Sequence, residues 1–200
     1  MSDYARNDAA GDNRRGAAGE LVVVTGPSHT GKSTLIHELV GQLDRPSDIV
    51  SIDEVIGASK LPPELRWERG LHAAYDAAAE RTSKLLASRG LVFYESTFTY
   101  VPPDSRPAQL HPEQLHRLLE IAAEHDADAL VVQLTAPLEV VKSRQERTTR
   151  LTDRIVTEAW RMHAGTTLEV MRLLPLDTSE LSAQEAAALV LGHMGGQQPA

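Results

Sequence analysis

Short runs of β-branched and aliphatic residues alternate along this chain with longer stretches whose apolar positions recur every three or four residues. That alternation predicts βαβ units and a parallel sheet covered by helices on both faces. Five strands are expected: Leu21-Val22-Val23-Val24, Asp48-Ile49-Val50-Ser51-Ile52, Leu91-Val92-Phe93-Tyr94, Ala129-Leu130-Val131-Val132-Gln133-Leu134 and Arg172-Leu173-Leu174-Pro175-Leu176. Pro175 cannot donate to a ladder, so the last belongs at an edge or a strand end. Helices are expected over Lys32 to Leu43, Pro63 to Ser88 with Gly90 just past its end, Pro112 to His125, Leu138 to Thr149, around Asp153 to Leu168, and Ser182 to Gly192. The long region between the second and third strands and the arginine-rich stretch after Val141 exceed a minimal doubly wound sheet. Additions of that kind carry substrate or close over it.

The composition bounds what such a sheet can serve. Two hundred residues with 42% hydrophobic and 24% charged positions suffice for one packed domain. Asp and Glu outnumber Lys and Arg by 28 to 20, a net charge of -8 that disfavours a nucleic-acid partner, because phosphate backbones call for clustered cations. There are no cysteines, which excludes disulfides, thiolate nucleophiles and cysteine-ligated zinc. Residues 1–19 hold charges of both signs among Ala and Gly, with no long apolar run, and residues 195–200 are polar. They read as a disordered leader and a flexible tail flanking a single domain over 20–194, with no membrane anchor and a cytoplasmic location by default.

The strongest chemical signal is Gly26-Pro27-Ser28-His29-Thr30-Gly31-Lys32-Ser33, followed by Thr34, between a strand and an amphipathic helix. Glycines let the backbone curl round an anion with its N–H groups inward, and the helix N-terminus adds positive potential. In this pattern the Lys32 ammonium reaches the β- and γ-phosphates of ATP and the Ser33 hydroxyl ligates Mg2+. Two carboxylates are expected at the same rim, since strand C-termini face the ligand crevice of an open parallel sheet. Asp53 follows the second strand and could accept the proton of an attacking hydroxyl, hold the magnesium shell, or cap the next turn. Glu95 ends the third strand and could order magnesium, directly or through water, or bind a substrate hydroxyl. Arg144, Arg147, Arg150 and Arg154 lie within eleven residues. Their guanidinium groups suit a transferring phosphoryl group or an adenine face; the alternative is a solvated helix face paired with Glu139, Glu146 and Asp153. Thr178 and Ser179, after the last strand, either contact the nucleotide or cap the last helix.

On the phosphate loop, the twenty-one-residue step from Lys32 to Asp53, the acid in Tyr94-Glu95-Ser96-Thr97, and the arginine-rich stretch followed by Asp177-Thr178-Ser179, the chain resembles small P-loop kinases of the zeta-toxin and chloramphenicol-phosphotransferase type. Shikimate and gluconate kinases are more distant relatives. The resemblance implies a three-layer, nucleoside-kinase-like α/β fold with strand order 2-3-1-4-5, an arginine-rich lid near 144–156, and magnesium-dependent transfer of the γ-phosphoryl of ATP to an alcohol. Asp53 matches the family's general base, Arg144 its adenine-side arginine, and Arg147 or Arg150 its phosphate-side arginine. The acceptor is expected to meet Asp53, Glu95, Arg154 and the 60–69 stretch, which includes Trp67. A hydroxylated small molecule, such as an antibiotic, is the leading acceptor; a nucleotide-sugar and a polynucleotide 5′-hydroxyl are the alternatives. A regulatory GTPase would need an Asn/Thr-Lys-x-Asp sequence for guanine, which is missing.

Overall fold

The computed structural model describes residues 19–59, 70–102, 106–147 and 151–194. The expected leader, apart from Gly19, and the expected tail lie outside them, as do Trp67 and Arg150. The chain runs β1 (Glu20–Thr25), α1 (Lys32–Gln42), β2 (Ser47–Ser51), α2 (Ile52–Gly57), α3 (Leu71–Ala87), β3 (Leu91–Glu95), β4 (Thr99–Tyr100), β5 (Gln109–Leu110), α4 (Pro112–Glu124), β6 (Asp128–Thr135), α5 (Leu138–Gln145), α6 (Asp153–Ala164), β7 (Leu173–Asp177) and α7 (Ala183–His193).

Five strands form one parallel sheet in the order β2-β3-β1-β6-β7. Counted within the sheet this is second-third-first-fourth-fifth, as the family resemblance implies. The remaining pair, β4 and β5, forms a separate antiparallel hairpin. Pro175 sits in β7, which among the described residues pairs only with β6, so its missing N–H costs the sheet nothing on the open side.

Successive residues of β1 serve opposite cores. Leu21 and Val23 pack with Val92, Tyr94 and Val131 under α3 and α4, whereas Val22 and Val24 pack with Phe93, Leu130 and Val132 under α1 and α7. A strand buried on both faces has no polar position to alternate with, which is why these segments read as continuous aliphatic runs. Burial on both faces produces a three-layer α/β fold.

Several boundaries differ from the sequence expectation, four of them with a bearing on the fold. Ile52 opens α2 instead of ending β2: Ile52, Val55 and Ile56 share one face of a single helical turn, and Ile52 and Ile56 are buried. Within the range expected for the third helix, α3 begins at Leu71 after Gly70, and residues 63–69 are outside the described set. Helix α5 ends at Gln145 instead of Thr149. Helix α6 ends at Ala164, where Gly165 stands at its C-terminus, instead of near Leu168. Past α3, Arg89 takes the left-handed conformation (φ 59°), and Gly90 provides clearance, since a Cβ there would lie 3.1 Å from the Leu85 carbonyl.

Candidate active site

Strand register assembles the site. Ser51 of β2 is level with Glu95 of β3, which is level with Val24 of β1, and Thr135 of β6 is level with Asp177 of β7. The residues that follow each strand therefore meet along one edge of the sheet. Gly26 to Gly31, Asp53, Ser96 and Thr178 all lie there.

The loop from Gly26 to Gly31 can follow its path only with unusual backbone angles. Gly26 has φ 139°, and a Cβ on it would stand 2.3 Å from the Leu134 carbonyl oxygen of β6. Gly31 has φ 94°, and His29 adopts φ 64°. Thr30 Oγ1 donates to the Pro27 carbonyl at 2.8 Å and closes the turn. Pro27 is buried and Ser28 half-buried. Helix α1 starts at Lys32 with no side-chain cap and no acid in its first turn, so its N–H dipoles are left for an anion. The exposed Ser33 and Thr34 lie in that turn.

Lys32 is buried, and its Nζ donates to the carbonyls of Gly26 (3.1 Å) and Pro27 (3.0 Å). Burial lowers the pKa of its ammonium, opposed first by the nearby Glu95 charge and then by Asp53. Both sequence-predicted carboxylates are therefore within electrostatic reach of the phosphate-loop lysine. Ser33 Oγ donates to Glu95 Oε1 at 2.7 Å, which joins the two proposed magnesium-ordering groups. Among the described residues no cluster of three or more His, Asp or Glu side chains could hold a metal by itself. One hydroxyl and one carboxylate suit Mg2+, which keeps most of its waters and shares the oxygens of a bound polyphosphate.

Asp53 is exposed in the first turn of α2, and Ser51, not Asp53, occupies the cap position. The capping alternative for Asp53 is thus set aside: the chain turns helical one residue earlier than the strand pattern suggested.

The arginines separate. Arg144 reaches back over the phosphate loop: its guanidinium donates to Thr178 Oγ1 (3.0 Å), the Thr178 carbonyl (2.6 Å) and the His29 carbonyl (3.4 Å). Thr178 is itself buried, with Oγ1 2.9 Å from the Thr30 carbonyl and 3.2 Å from that of Thr135. Arg144 thus joins α5, the phosphate loop and the end of β7, which overturns the solvated-face reading at this position. Arg147 is exposed just beyond α5. Arg154 pairs with Glu158 at 3.0 Å and donates to the Pro102 carbonyl, tying α6 to the hairpin. Asp153, expected to pair with an arginine, pairs with Lys142. Neither Thr178 nor Ser179 caps α7. Ser182 does, in a reciprocal arrangement with Glu185, while Ser179 bonds the Asp177 carboxylate and lowers its pKa.

Sequence reasoning missed the turn after β3. Phe98 adopts φ 50°, a strained angle for an aromatic residue, with Ser96 Oγ accepting from its N–H at 2.9 Å. Its ring lies between Tyr75 and Tyr94, with centroids 6.3 and 6.1 Å away and planes within 9° and 4° of parallel. Tyr75, 2% exposed, has its hydroxyl 3.4 Å from Ser96 Oγ, and burial pushes its pKa up to about 12. No motif marks these residues. The only signal available was a run of hydroxyl and aromatic side chains directly after the strand-ending acid.

A family model described as an AAA domain, AAA_33, matches residues 21–165. No curated protein sequence matches significantly. Among solved structures, a Deinococcus radiodurans tunicamycin resistance protein is 20% identical with a TM-score of 0.61, covering 88% of this chain and 96% of its own. The Mycobacterium tuberculosis APS kinase, solved with AMPPNP and APS, is 17% identical with a TM-score of 0.61, over 87% and 96% of the two chains. An Acinetobacter baumannii shikimate kinase in complex with shikimate is 15% identical with a TM-score of 0.53, over 88% and 93%. Among the described residues no helix is long and apolar enough to cross a membrane.

Proposed function

The chain belongs to the AAA_33 family of AAA domains, and from that premise we propose that it is a kinase transferring the γ-phosphoryl group of ATP to a hydroxyl of a small molecule. The observation that carries this reading is the grouping of Asp53 and Glu95 about the Lys32 charge, with Glu95 hydrogen-bonded to Ser33. A phosphate loop alone would serve an ATPase or a switch equally well. A second, exposed carboxylate within electrostatic reach of the same lysine adds a group able to take a proton from an incoming alcohol.

In this reading the loop N–H groups and Lys32 hold the β- and γ-phosphates, and Arg144 covers the adenine side from its anchorage on Thr178 and His29. Asp53 accepts the acceptor's hydroxyl proton as the new P–O bond forms and the bond to the β-phosphate oxygen breaks. Arg147 and Arg150 supply positive charge to the transferring group. Mg2+, when bound with ATP, neutralises charge on the phosphate oxygens; Ser33 and Glu95 are the residues that would hold it, Glu95 through water. The acceptor lies against Asp53, Glu95 and the 60–69 stretch with Trp67. Arg154, assigned to the acceptor on sequence grounds, is engaged by Glu158 and Pro102 and serves to position α6 instead.

The likeness in fold to a tunicamycin resistance protein supports including hydroxylated antibiotics among the acceptors. The finer kinship to zeta-toxin and chloramphenicol-phosphotransferase enzymes, and a cytoplasmic site of action, belong to the same proposal. The test is ATP consumption screened over hydroxylated antibiotics, sugars, nucleosides and a 5′-hydroxyl oligonucleotide, followed by mass analysis of the acceptor. Gain of one phosphoryl group by a small molecule is the expected result. ATP turnover with water as the sole acceptor would overturn the reading.

A further inference from the structure

The strand ends present different residues to the two faces of the sheet. Val23 of β1, Tyr94 of β3 and Val131 of β6 are level with one another and point into the core under α3 and α4. Side chains alternate along a strand, so Val24, Glu95 and Val132 point to the opposite face, where Glu95 meets Ser33 of α1. One residue further on, Thr25 and Gln133 are level and return to the α3/α4 face. Ser96 joins them, its N–H donating to the Val24 carbonyl at 3.3 Å. The apolar row of Tyr94, Val23 and Val131 is therefore followed at the edge by a polar row of Ser96, Thr25 and Gln133, which are 4%, 1% and 9% exposed.

Buried polar groups in folded proteins almost always find a partner. Ser96 does, since its Oγ accepts from the Phe98 N–H and meets the Tyr75 hydroxyl. The Thr25 hydroxyl has no partner and is sealed from solvent. The Gln133 amide differs from both. Among the described residues it has no hydrogen-bond partner, yet its nitrogen and oxygen are not among the enclosed polar atoms, so the amide is open at the edge. Packing does not call for it either, because Leu130, Val131, Val132 and Leu134 make the rest of this strand end aliphatic. An unpaired amide in such a strand breaks the local rule at the place where function would require it.

Asp53 approaches from the same side. Ile52 and Ile56 bury α2 in the core that holds Val23 and Tyr94, so the proposed base is carried on the α3/α4 side of the sheet. Helix α6 borders the far end of that side: Trp160 Nε1 donates at 2.8 Å to the Ala136 carbonyl, just past β6, and Arg154 donates to that of Pro102. Resting on the kinase reading above, we infer that the Gln133 amide binds the phosphoryl acceptor at the end away from its reacting hydroxyl and so selects it. Three strand intervals separate β2, which leads to Asp53, from β6, a width of about 14 Å at about 4.8 Å each. The two side chains cover part of that width, and the acceptor, at least a sugar ring in length, covers the rest. An amide both gives and takes hydrogen bonds, so the group it matches is a hydroxyl or another amide.

Gln133→Met removes the amide at nearly constant length and bulk. The assay measures transfer to uridine, chloramphenicol, tunicamycin, shikimate and glycerol by the wild-type and variant proteins. The expected result is transfer to at least one of the first three, with its KM raised about three- to tenfold in the variant, the effect of one lost hydrogen bond. The ATP KM should stay within twofold, and the melting temperature should equal or exceed that of wild type, because the fold loses an unbonded amide and no hydrogen bond. Thr25→Val, which removes the sealed hydroxyl one strand away, should leave the acceptor KM unchanged. An acceptor KM within twofold of wild type in Gln133→Met overturns the inference and leaves the kinase reading standing. So does transfer to shikimate alone, which ends in a carboxylate, or preferential transfer to glycerol, which is too short to reach from Asp53 to Gln133. Equal rises in Gln133→Met and Thr25→Val, or in acceptor and ATP KM together, would make Gln133 a structural residue and also overturn it. If the Met variant does not fold, Gln133→Leu repeats the measurement, and loss of folding in both overturns the inference. If no compound is phosphorylated, the kinase reading and this inference fall together.

Discussion

Replacing Asp53 with Asn isolates the proton-accepting step from everything else the site does. The carboxylate is exposed, caps no helix and leaves the Ser33–Glu95 contact untouched. Its loss costs the fold only its favourable place in the first turn of a six-residue helix, at most about 0.5–1 kcal/mol. For a chain of this size that lowers the melting temperature by no more than about 4 °C. Lys32 keeps Glu95, its larger electrostatic partner, so the phosphate loop retains its charge balance and ATP affinity should change less than about threefold. Turnover is another matter. Loss of a general base removes roughly 10²–10⁴-fold in kcat, or about 3–5 kcal/mol of transition-state stabilisation at 1.36 kcal/mol per tenfold. The assay pairs steady-state phosphoryl transfer with ATP titration and a magnesium series on the same variant. Turnover within threefold of wild type would refute the general-base role. Weakened Mg·ATP binding rescued by added magnesium would transfer Asp53 to the metal shell.

Lys32→Ala should remove measurable transfer while leaving cooperative unfolding in place, because the Gly26 and Pro27 carbonyls it releases can turn to water; calorimetry and turnover together check this. Arg144→Ala should raise the ATP KM about tenfold or more by removing the guanidinium that spans the His29 carbonyl and Thr178, whereas Arg147→Ala should lower kcat at constant ATP KM; equal, small effects at both would restore the solvated-face reading. His163 has a folded-state pKa below its unfolded value, so the unfolded chain binds the extra proton between about pH 6.5 and about pH 4. Stability should therefore fall as pH drops through that window, by up to about 1.4 kcal/mol per pH unit. Urea unfolding at several pH values should show that slope reduced in His163→Asn.

How much could be read in advance depended on whether the cause was local. The double burial of β1, β3 and β6 leaves aliphatic runs no other element produces, so the sheet strands were legible to within a residue or two. The phosphate loop was legible for the same kind of reason. Gly26 must take φ 139° against the Leu134 carbonyl and Gly31 φ 94°, and glycine tolerates both. Ile52 was misplaced because one apolar residue between a strand and a single-turn helix fits either period. The hairpin of β4 and β5 was missed because two-residue strands carry no periodicity.

The partners of the arginines and the whereabouts of His163 had no local cause. Arg144 meets Thr178 across thirty-four residues and His29 across 115, distances in sequence over which spacing carries no information about approach. Arg154 has the same residue type and the same apparent placement, yet it is claimed by Glu158 and Pro102. His163 becomes a buried imidazole only because α6 turns the face it shares with Val156 and Ala159 inward. Residue type and period determined the sheet, the anion loop and the carboxylates that follow its strands, since these follow from burial and backbone sterics within a few residues. Which guanidinium stands over the phosphate loop and which is held elsewhere depended on the packing of α5 and α6 onto the sheet edge, where long-range contacts compete for the same groups and only the folded chain decides among them.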